Sequence, residues 1–188
     1  MKIQLTIQST PNPNALKFVL NKPVKSEGNY TYTRASECAG NPLAQAIFDL
    51  SPAVREVYFF DNYITVTQDG SVSWPEIESD IRAVILEKAK DHNPDFKIPE
   101  PTKAAVTAPS SPDLEKINAI LDQTIRPALQ MDGGDVQVFN YKDKQLEVFY
   151  EGACGSCPSA TMGTLFAIQS ILRDQFDPEI NVVLADPY

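Results

Sequence analysis

The feature that most constrains the folding of this 188-residue chain is a proline-rich stretch at residues 93–112. Five prolines lie in it among small and polar residues. Because proline has no backbone N–H and a fixed φ, the stretch cannot form a helix or a central strand. A structureless loop of this length is rare within a compact domain, so a linker is favoured over a long surface loop. We therefore expect a domain at residues 1–92, a linker at 93–112 and a domain at 113–188.

The first predicted domain has strand and helix patterns but no catalytic motif. Apolar residues alternate in four segments, which predicts strands near residues 3–7, 16–20, 54–60 and 63–67. Asp61-Asn62 predicts a tight hairpin between the last two strands. Residues 42–48 predict a short helix, and the capping-box pattern Ser73-x-x-Glu76 predicts the start of a longer one. The pattern indicates a small α+β domain.

The second predicted domain has the element order α-β-β-α-β. A helix is expected from Pro112, with Pro127 bending or shortening its last turn and the glycines of Asp132-Gly133-Gly134-Asp135 ending it. Two strands, a second helix and a last strand are then expected at residues 135–141, 145–151, 159–176 and 181–185. The fold class predicted for the chain is thus α+β with two small domains, the second having a three-stranded mixed sheet and two helices.

Composition excludes several classes of partner. The formal net charge of −9 repels phosphate backbones, so we expect no nucleic acid partner. No apolar run approaches membrane-spanning length, so no membrane association is expected. The first residues resemble neither a signal peptide nor a transit peptide, and three cysteines do not suggest a disulfide framework. These observations predict a cytoplasmic location.

The chemistry of the chain is concentrated in the Cys-x-x-Cys-Pro segment Cys154-Gly155-Ser156-Cys157-Pro158. The segment lies between a predicted strand and a predicted helix, whose positive N-terminal end favours thiolates, the form that binds metal. Cys38 and His92 are the other cysteine and the single histidine, both remote in sequence. A centre with four sulfur ligands would therefore most simply need two copies of the chain.

Spacing alone leaves three interpretations open. The pair could bind a metal or a cluster, act as a thiol–disulfide redox centre, or be inert. Ala153, rather than an aromatic residue, precedes the first cysteine, and the predicted element order does not suggest the parallel βαβ unit of thioredoxin. Both observations favour metal. The lack of a Ser/His/Asp set, phosphate loop or dinucleotide motif argues against an enzyme.

The amino-acid sequence around the two cysteines resembles that of the C-terminal domain of NifU-like (Nfu-type) iron–sulfur scaffold and carrier proteins. The similar segments are residues 125–136, which include Met131-Asp132-Gly133-Gly134-Asp135, and residues 152–159. Residues 10–18, 41–44 and 63–67 are similar to the accessory domain that precedes it in many members. Two matches in the family's domain order make the resemblance specific.

The resemblance implies a homodimer that holds a [4Fe–4S] cluster between Cys154 and Cys157 of each protomer. It also implies an upstream cluster donor and client apoproteins that receive the cluster, with no catalysis by the protein itself. A thiol–disulfide oxidoreductase and a zinc-bridged structural dimer remain as alternatives. One departure from the family pattern is Phe166, which stands where a lysine is common.

Overall fold

The structure, a computed structural model, describes residues 2–96, 111–155 and 158–185, with the backbone alone for residues 158–161. The chain divides into two compact units, Met1–Pro99 and Glu100–Tyr188. Most of the predicted linker lies outside the described residues, so its boundaries stay a prediction. Phe96, which the sequence analysis placed in that linker, packs in the core of the first unit.

The first unit is a five-stranded antiparallel sheet with two helices. The order of strands across the sheet is β1-β2-β5-β4-β3. The elements are β1 (Leu5–Ser9), β2 (Ala15–Leu20), β3 (Asn29–Tyr32), α1 (Pro42–Leu50), β4 (Val54–Phe60), β5 (Tyr63–Gln68) and α2 (Trp74–Lys88), with a 3₁₀ helix at Ala35–Gly40.

The hairpin between β4 and β5 and the capping box of α2 form in the first unit as the sequence predicts. Asp61 adopts the positive φ of 43° that the tight hairpin between β4 and β5 requires. The backbone N–H of Ser73 donates to the Glu76 carboxylate at 3.0 Å. This is one of the two reciprocal hydrogen bonds of the capping box predicted at the start of α2. Strand β3 and the 3₁₀ helix were not predicted.

The second unit is a three-stranded mixed sheet with helices. Its elements are α3 (Pro112–Thr124), α4 (Arg126–Met131), β6 (Gly134–Lys142), β7 (Gln145–Gly152), α5 (Pro158–Gln175) and β8 (Asn181–Leu184). Strand β7 pairs antiparallel with β6 and parallel with β8. The predicted α+β class and the mixed sheet are confirmed.

Two details of the second unit differ from the prediction. The first helix is divided at Ile125 into α3 and α4, because Pro127 has no N–H to continue the helical hydrogen bonds. Strands β7 and β8 together with α5 also form one parallel βαβ unit, which the predicted element order had not suggested. That argument against a thiol redox centre is therefore wrong.

The core of the second unit lies between its helices and one face of the sheet. Residues 146, 148 and 150 alternate along β7 towards this core. The buried apolar residues packed there include Ile117, Leu121, Val136, Leu146, Val148, Cys154, Ile168, Leu172 and Ile180. Within the described residues, no helix has both the length and the apolar character needed to cross a membrane.

Candidate metal centre

Cys154 lies in the turn that follows the end of β7, between β7 and α5 in the sequence. Strand β7 ends at Gly152, which has a positive φ of 63°, and the N–H of Gly155 donates to the Gly152 carbonyl at 3.1 Å. The Cys154 side chain is 6% exposed and packs with the core of the second unit. The predicted second ligand, Cys157, lies outside the described residues. The distance between the two thiols therefore stays a prediction.

The Gly133-Gly134 pair holds this turn against the start of β6. The N–H of Ala153 donates to the Gly133 carbonyl at 3.1 Å. A Cβ at position 134 would lie 2.5 Å from the Glu151 carbonyl oxygen and 2.7 Å from Cys154 Sγ, closer than real Cβ contacts allow. Both glycines were predicted to end a helix, and the positive φ of 85° at Gly133 agrees with that prediction. The close approach at Gly134 is a second role that sequence reasoning missed.

A buried ion pair lies next to the same turn, at the start of β6. Arg126 Nε lies 3.6 Å from Asp135 Oδ1 and donates to the Val136 carbonyl at 3.2 Å. Its guanidinium also donates to Asn118 of α3 at 2.8 Å. The two charged side chains are only 12% and 4% exposed. Arg126 therefore connects α3 and α4 to the first residues of β6, next to Gly134, which lies against Cys154.

Tyr150 brings a polar group close to Cys154. Its ring packs against the core that includes Cys154, and its hydroxyl is buried without a hydrogen-bond partner among the described residues. Burial raises the pKa of Tyr150 well above its usual value, and the negative charge of a Cys154 thiolate raises it further. The pattern of the sequence offered no sign of this arrangement.

Cys38 lies in the core of the first unit, and His92 packs against it. Cys38 is 1% exposed, and burial, followed by the charges of Glu37 and Asp49, raises the pKa of its thiol to about 12. His92 stacks on Phe59 and hydrogen-bonds the Val24 carbonyl at 2.7 Å, while burial lowers its pKa. Throughout the part of the chain that the structure describes, no three His, Cys, Asp or Glu side chains form a group that could hold a metal ion.

The arrangement around Cys154 suits a soft metal ion or the iron of an iron–sulfur cluster. A thiolate is a soft ligand, and Gly134 and Gly152 have no side chains that would block the approach of a ligand. On α5, Met162 and Phe166 are 60% and 64% exposed, and their spacing of four residues places them on the same side of the helix. An apolar surface therefore begins one turn beyond the cysteine segment.

Comparison with known proteins identifies two family matches along the chain. The model for "Scaffold protein Nfu/NifU N terminal" matches residues 3–92. The model for "NifU-like domain" matches residues 117–183. Each match falls within one of the two structural units.

Whole proteins with similar sequences carry related names. The chain is 33% identical to NifU-like protein 4, mitochondrial, of Arabidopsis thaliana, over 88% of this chain and 60% of that protein. It is 32% identical to the human NFU1 iron-sulfur cluster scaffold homolog, mitochondrial, over 94% of this chain and 69% of that protein. The chain thus spans about 60% of the length of the plant relatives it matches. A solved NifU-like protein from Saccharomyces cerevisiae is 25% identical, with a TM-score of 0.45, over 47% of this chain and 80% of that one.

These relatives correct one prediction. The plant and human proteins are named as mitochondrial, which contradicts the cytoplasmic location expected from the sequence. That expectation rested on the character of the first residues and on the small number of cysteines. Neither property distinguishes a cytoplasmic protein from relatives that work in an organelle, so the prediction is wrong.

Proposed function

Because this chain belongs to the NifU-like (Nfu-type) family of iron–sulfur cluster scaffold proteins, we propose that it assembles or carries a cluster for other proteins. The cargo is a [4Fe–4S] cluster, held between two protomers by Cys154 and Cys157 of each. The loaded form is a homodimer, which receives the cluster from an upstream donor and delivers it to client apoproteins. The protein is a carrier and catalyses no reaction of its own.

The observation that carries this proposal is the placement of Cys154. Its thiol lies in the turn that follows β7, against Gly134 at the start of β6, and α5 begins four residues further along the chain. The N-terminal end of an α-helix has unpaired N–H groups and a partial positive charge, both of which stabilise thiolates and cluster sulfides.

The requirement for two protomers follows from the number of thiols. The chain has three cysteines, and Cys38 is enclosed in the core of the first unit with a pKa raised to about 12. Only Cys154 and Cys157 remain to bind the cargo. Since a cubane cluster takes about four thiolates, two chains supply the full set.

Metal analysis resolved by oligomeric state tests the proposal. The full chain is purified without oxygen, separated into monomer and dimer, and assayed for iron, acid-labile sulfide and zinc. We expect about four iron and four sulfide per dimer. Cys154→Ser is expected to lose both, while Cys38→Ser, which changes a cysteine of the other unit, keeps them. A protein that remains a metal-free monomer after reconstitution with ferrous iron and sulfide would contradict the proposal.

Delivery is tested separately from binding. Loaded dimer is mixed with an apo-aconitase-type client, and client activity is followed over time. We expect activation that a chelator added before mixing prevents. The first unit serves as a docking module for clients or donors, so deletion of the residues before Pro99 is expected to spare loading and to slow transfer.

A thiol–disulfide centre is the second candidate, and one structural observation favours it. Cys154 lies between the strand and the helix of a parallel βαβ unit, which is where thioredoxin-type motifs occur. In that case Cys154 attacks a disulfide and Cys157 resolves the mixed disulfide. A measurable two-electron potential in metal-free monomer, with no iron bound after reconstitution, would support this candidate over the carrier. Zinc at about one per dimer, in a colourless protein, would instead indicate a structural site.

A further inference from the structure

The second unit contains a buried hydroxyl that its own fold does not use. Among the described residues of that unit, the Tyr150 hydroxyl is the one buried side-chain N or O atom without a hydrogen-bond partner. A polar group left in this state destabilises the folded protein, so most buried polar groups are paired. A chain that needed only the aromatic ring at this position would be served better by phenylalanine.

Tyr150 packs in the same core as Cys154. Residue 150 alternates with Leu146 and Val148 on the face of β7 that packs against the core. The next residue on that face is Gly152, which has no side chain to separate the ring from the cysteine turn. Cys154 packs in the same core, and a negative charge on its sulfur raises the pKa of the hydroxyl.

We propose that the Tyr150 hydroxyl donates a hydrogen bond to the sulfur centre at Cys154 when the cargo is bound, either to the thiolate or to an adjacent cluster sulfide. The inference rests on the proposed carrier function and adds a residue to its binding site. Among the described residues the hydroxyl of the apo protein has no hydrogen-bond partner, and the arrival of anionic sulfur provides one. Tyr150 therefore favours the loaded state over the apo state.

This role predicts effects of opposite sign in the two states. Tyr150→Phe removes one oxygen and keeps the ring, so apo protein loses only an unpaired polar group and its unfolding temperature is expected to stay or to rise. Loaded protein loses a donor to sulfur, and its cluster is expected to leave for a chelator roughly tenfold faster. Because hydrogen bonds to the sulfurs help to set the potential of a cluster, the reduction potential is expected to fall.

Tyr141→Phe is the matched control. Tyr141 lies on β6 opposite Leu146, towards the far end of the hairpin from the pair Gly134 and Gly152. The same atom is therefore removed from the same unit, away from the cysteine turn. The control is expected to leave the chelator rate and the reduction potential unchanged.

The experiment reconstitutes the full chain and both variants with ferrous iron and sulfide. It measures cluster loss to a chelator, the reduction potential and the thermal unfolding of apo protein. Faster loss and a lower potential for Tyr150→Phe alone, with no loss of apo stability, are the expected results. If Tyr150→Phe lost its cluster to the chelator as slowly as the wild type, or if its apo and loaded forms were destabilised equally, the inference would be overturned. The carrier function would remain intact in either case. Failure of the wild type and of Tyr141→Phe to bind iron and sulfide would overturn both.

Discussion

A Cβ added to Gly134 would lie 2.7 Å from the sulfur of Cys154, although the two residues are twenty positions apart in the sequence. The same atom would lie 2.5 Å from the Glu151 carbonyl oxygen and 2.9 Å from the Cys154 N–H nitrogen. Two of these three neighbours are backbone atoms, which cannot rotate away. The position of the cysteine turn therefore depends on the absence of a side chain at residue 134.

Gly134→Ala is expected to displace the cysteine turn and to destabilise the second unit. Overpacking of this kind costs about 1–3 kcal/mol of unfolding free energy, and cluster loading is expected to fall with it. Far-UV circular dichroism follows both units, while the fluorescence of Trp74, the single tryptophan, follows the first. Gly163→Ala in α5 is the control, since a Cβ there meets nothing within 4 Å. It is expected to stabilise the helix by about 0.5–1 kcal/mol, and an equal loss in both variants would contradict this account.

Arg126→Met is expected to destabilise the second unit by about 3 kcal/mol or more. The substitution leaves the Asp135 carboxylate buried without its cation, which is the costly way to break a buried ion pair. Denaturant unfolding of the apo chain measures the effect, with the Trp74 transition as an internal reference. Arg55→Met removes the cation of a more exposed pair, Arg55 with Asp69, and is expected to change stability little. If Arg126→Met and Arg55→Met lost similar amounts of unfolding free energy, burial of the Arg126–Asp135 pair would not be the cause of the predicted destabilisation.

The stability of the first unit is expected to fall at alkaline pH. Burial raises the pKa of the Cys38 thiol from 9.0 to about 12, so the folded state keeps a proton that the unfolded chain releases. The contribution is complete below pH 9 and is lost as the pH rises from 9 towards 12. Urea unfolding followed by Trp74 fluorescence measures it. Burial also raises the pKa of Tyr32 from 10.0 to about 12, so Cys38→Ala is expected to reduce the slope without abolishing it. An unchanged slope would contradict the assignment to Cys38.

Phe166→Lys is expected to leave the folded second unit intact. The side chain is 64% exposed, and surface substitutions usually change unfolding free energy by no more than about 0.5 kcal/mol. The substitution introduces the lysine that the family resemblance implies at this position and changes neither cysteine. Circular dichroism and iron loading of the variant are therefore expected to match the wild type, and any functional change is expected in the choice of client. Loss of stability above that range would indicate that Phe166 contributes to the core.

Most strands were predictable because their periodicity reflects burial on one face. Strand β3 was missed because its alternating segment, Asn29–Tyr32, is only four residues long and forms the edge of the sheet next to β4. The division between α3 and α4 was foreseen only as a bend at Pro127. A mixed sheet was predicted, but the pairing of β7 with β8 as its parallel pair was not, since that pairing depends on where α5 returns the chain.

The candidate site was only partly predictable, for a related reason. Cys154 and Cys157 are found from a local motif, because the spacing of two ligands is itself a sequence pattern. Gly134 acquires its role because the pairing of β6 with β7 places it beside Cys154, twenty positions away in the sequence. Such a long-range contact has no local signature. The roles of Tyr150 and Arg126 involve residues nearer in sequence, but they depend on the burial of the Tyr150 hydroxyl and of the Arg126–Asp135 pair, which no residue spacing encodes.

The antiparallel pairing of β6 and β7 gives the second unit a natural place for a reporter group. The hairpin turn at Asp143 and Lys144 is exposed, and both residues adopt positive φ. Strand β7 runs from Gln145 to Gly152, so the turn lies roughly 23 Å from the strand end that leads to Cys154. A fluorophore attached at the turn would be within range of quenching by an iron-containing cargo, yet too far away to obstruct it. The arrival and departure of a cluster could then be timed in a single mixing experiment, without altering any residue that binds it.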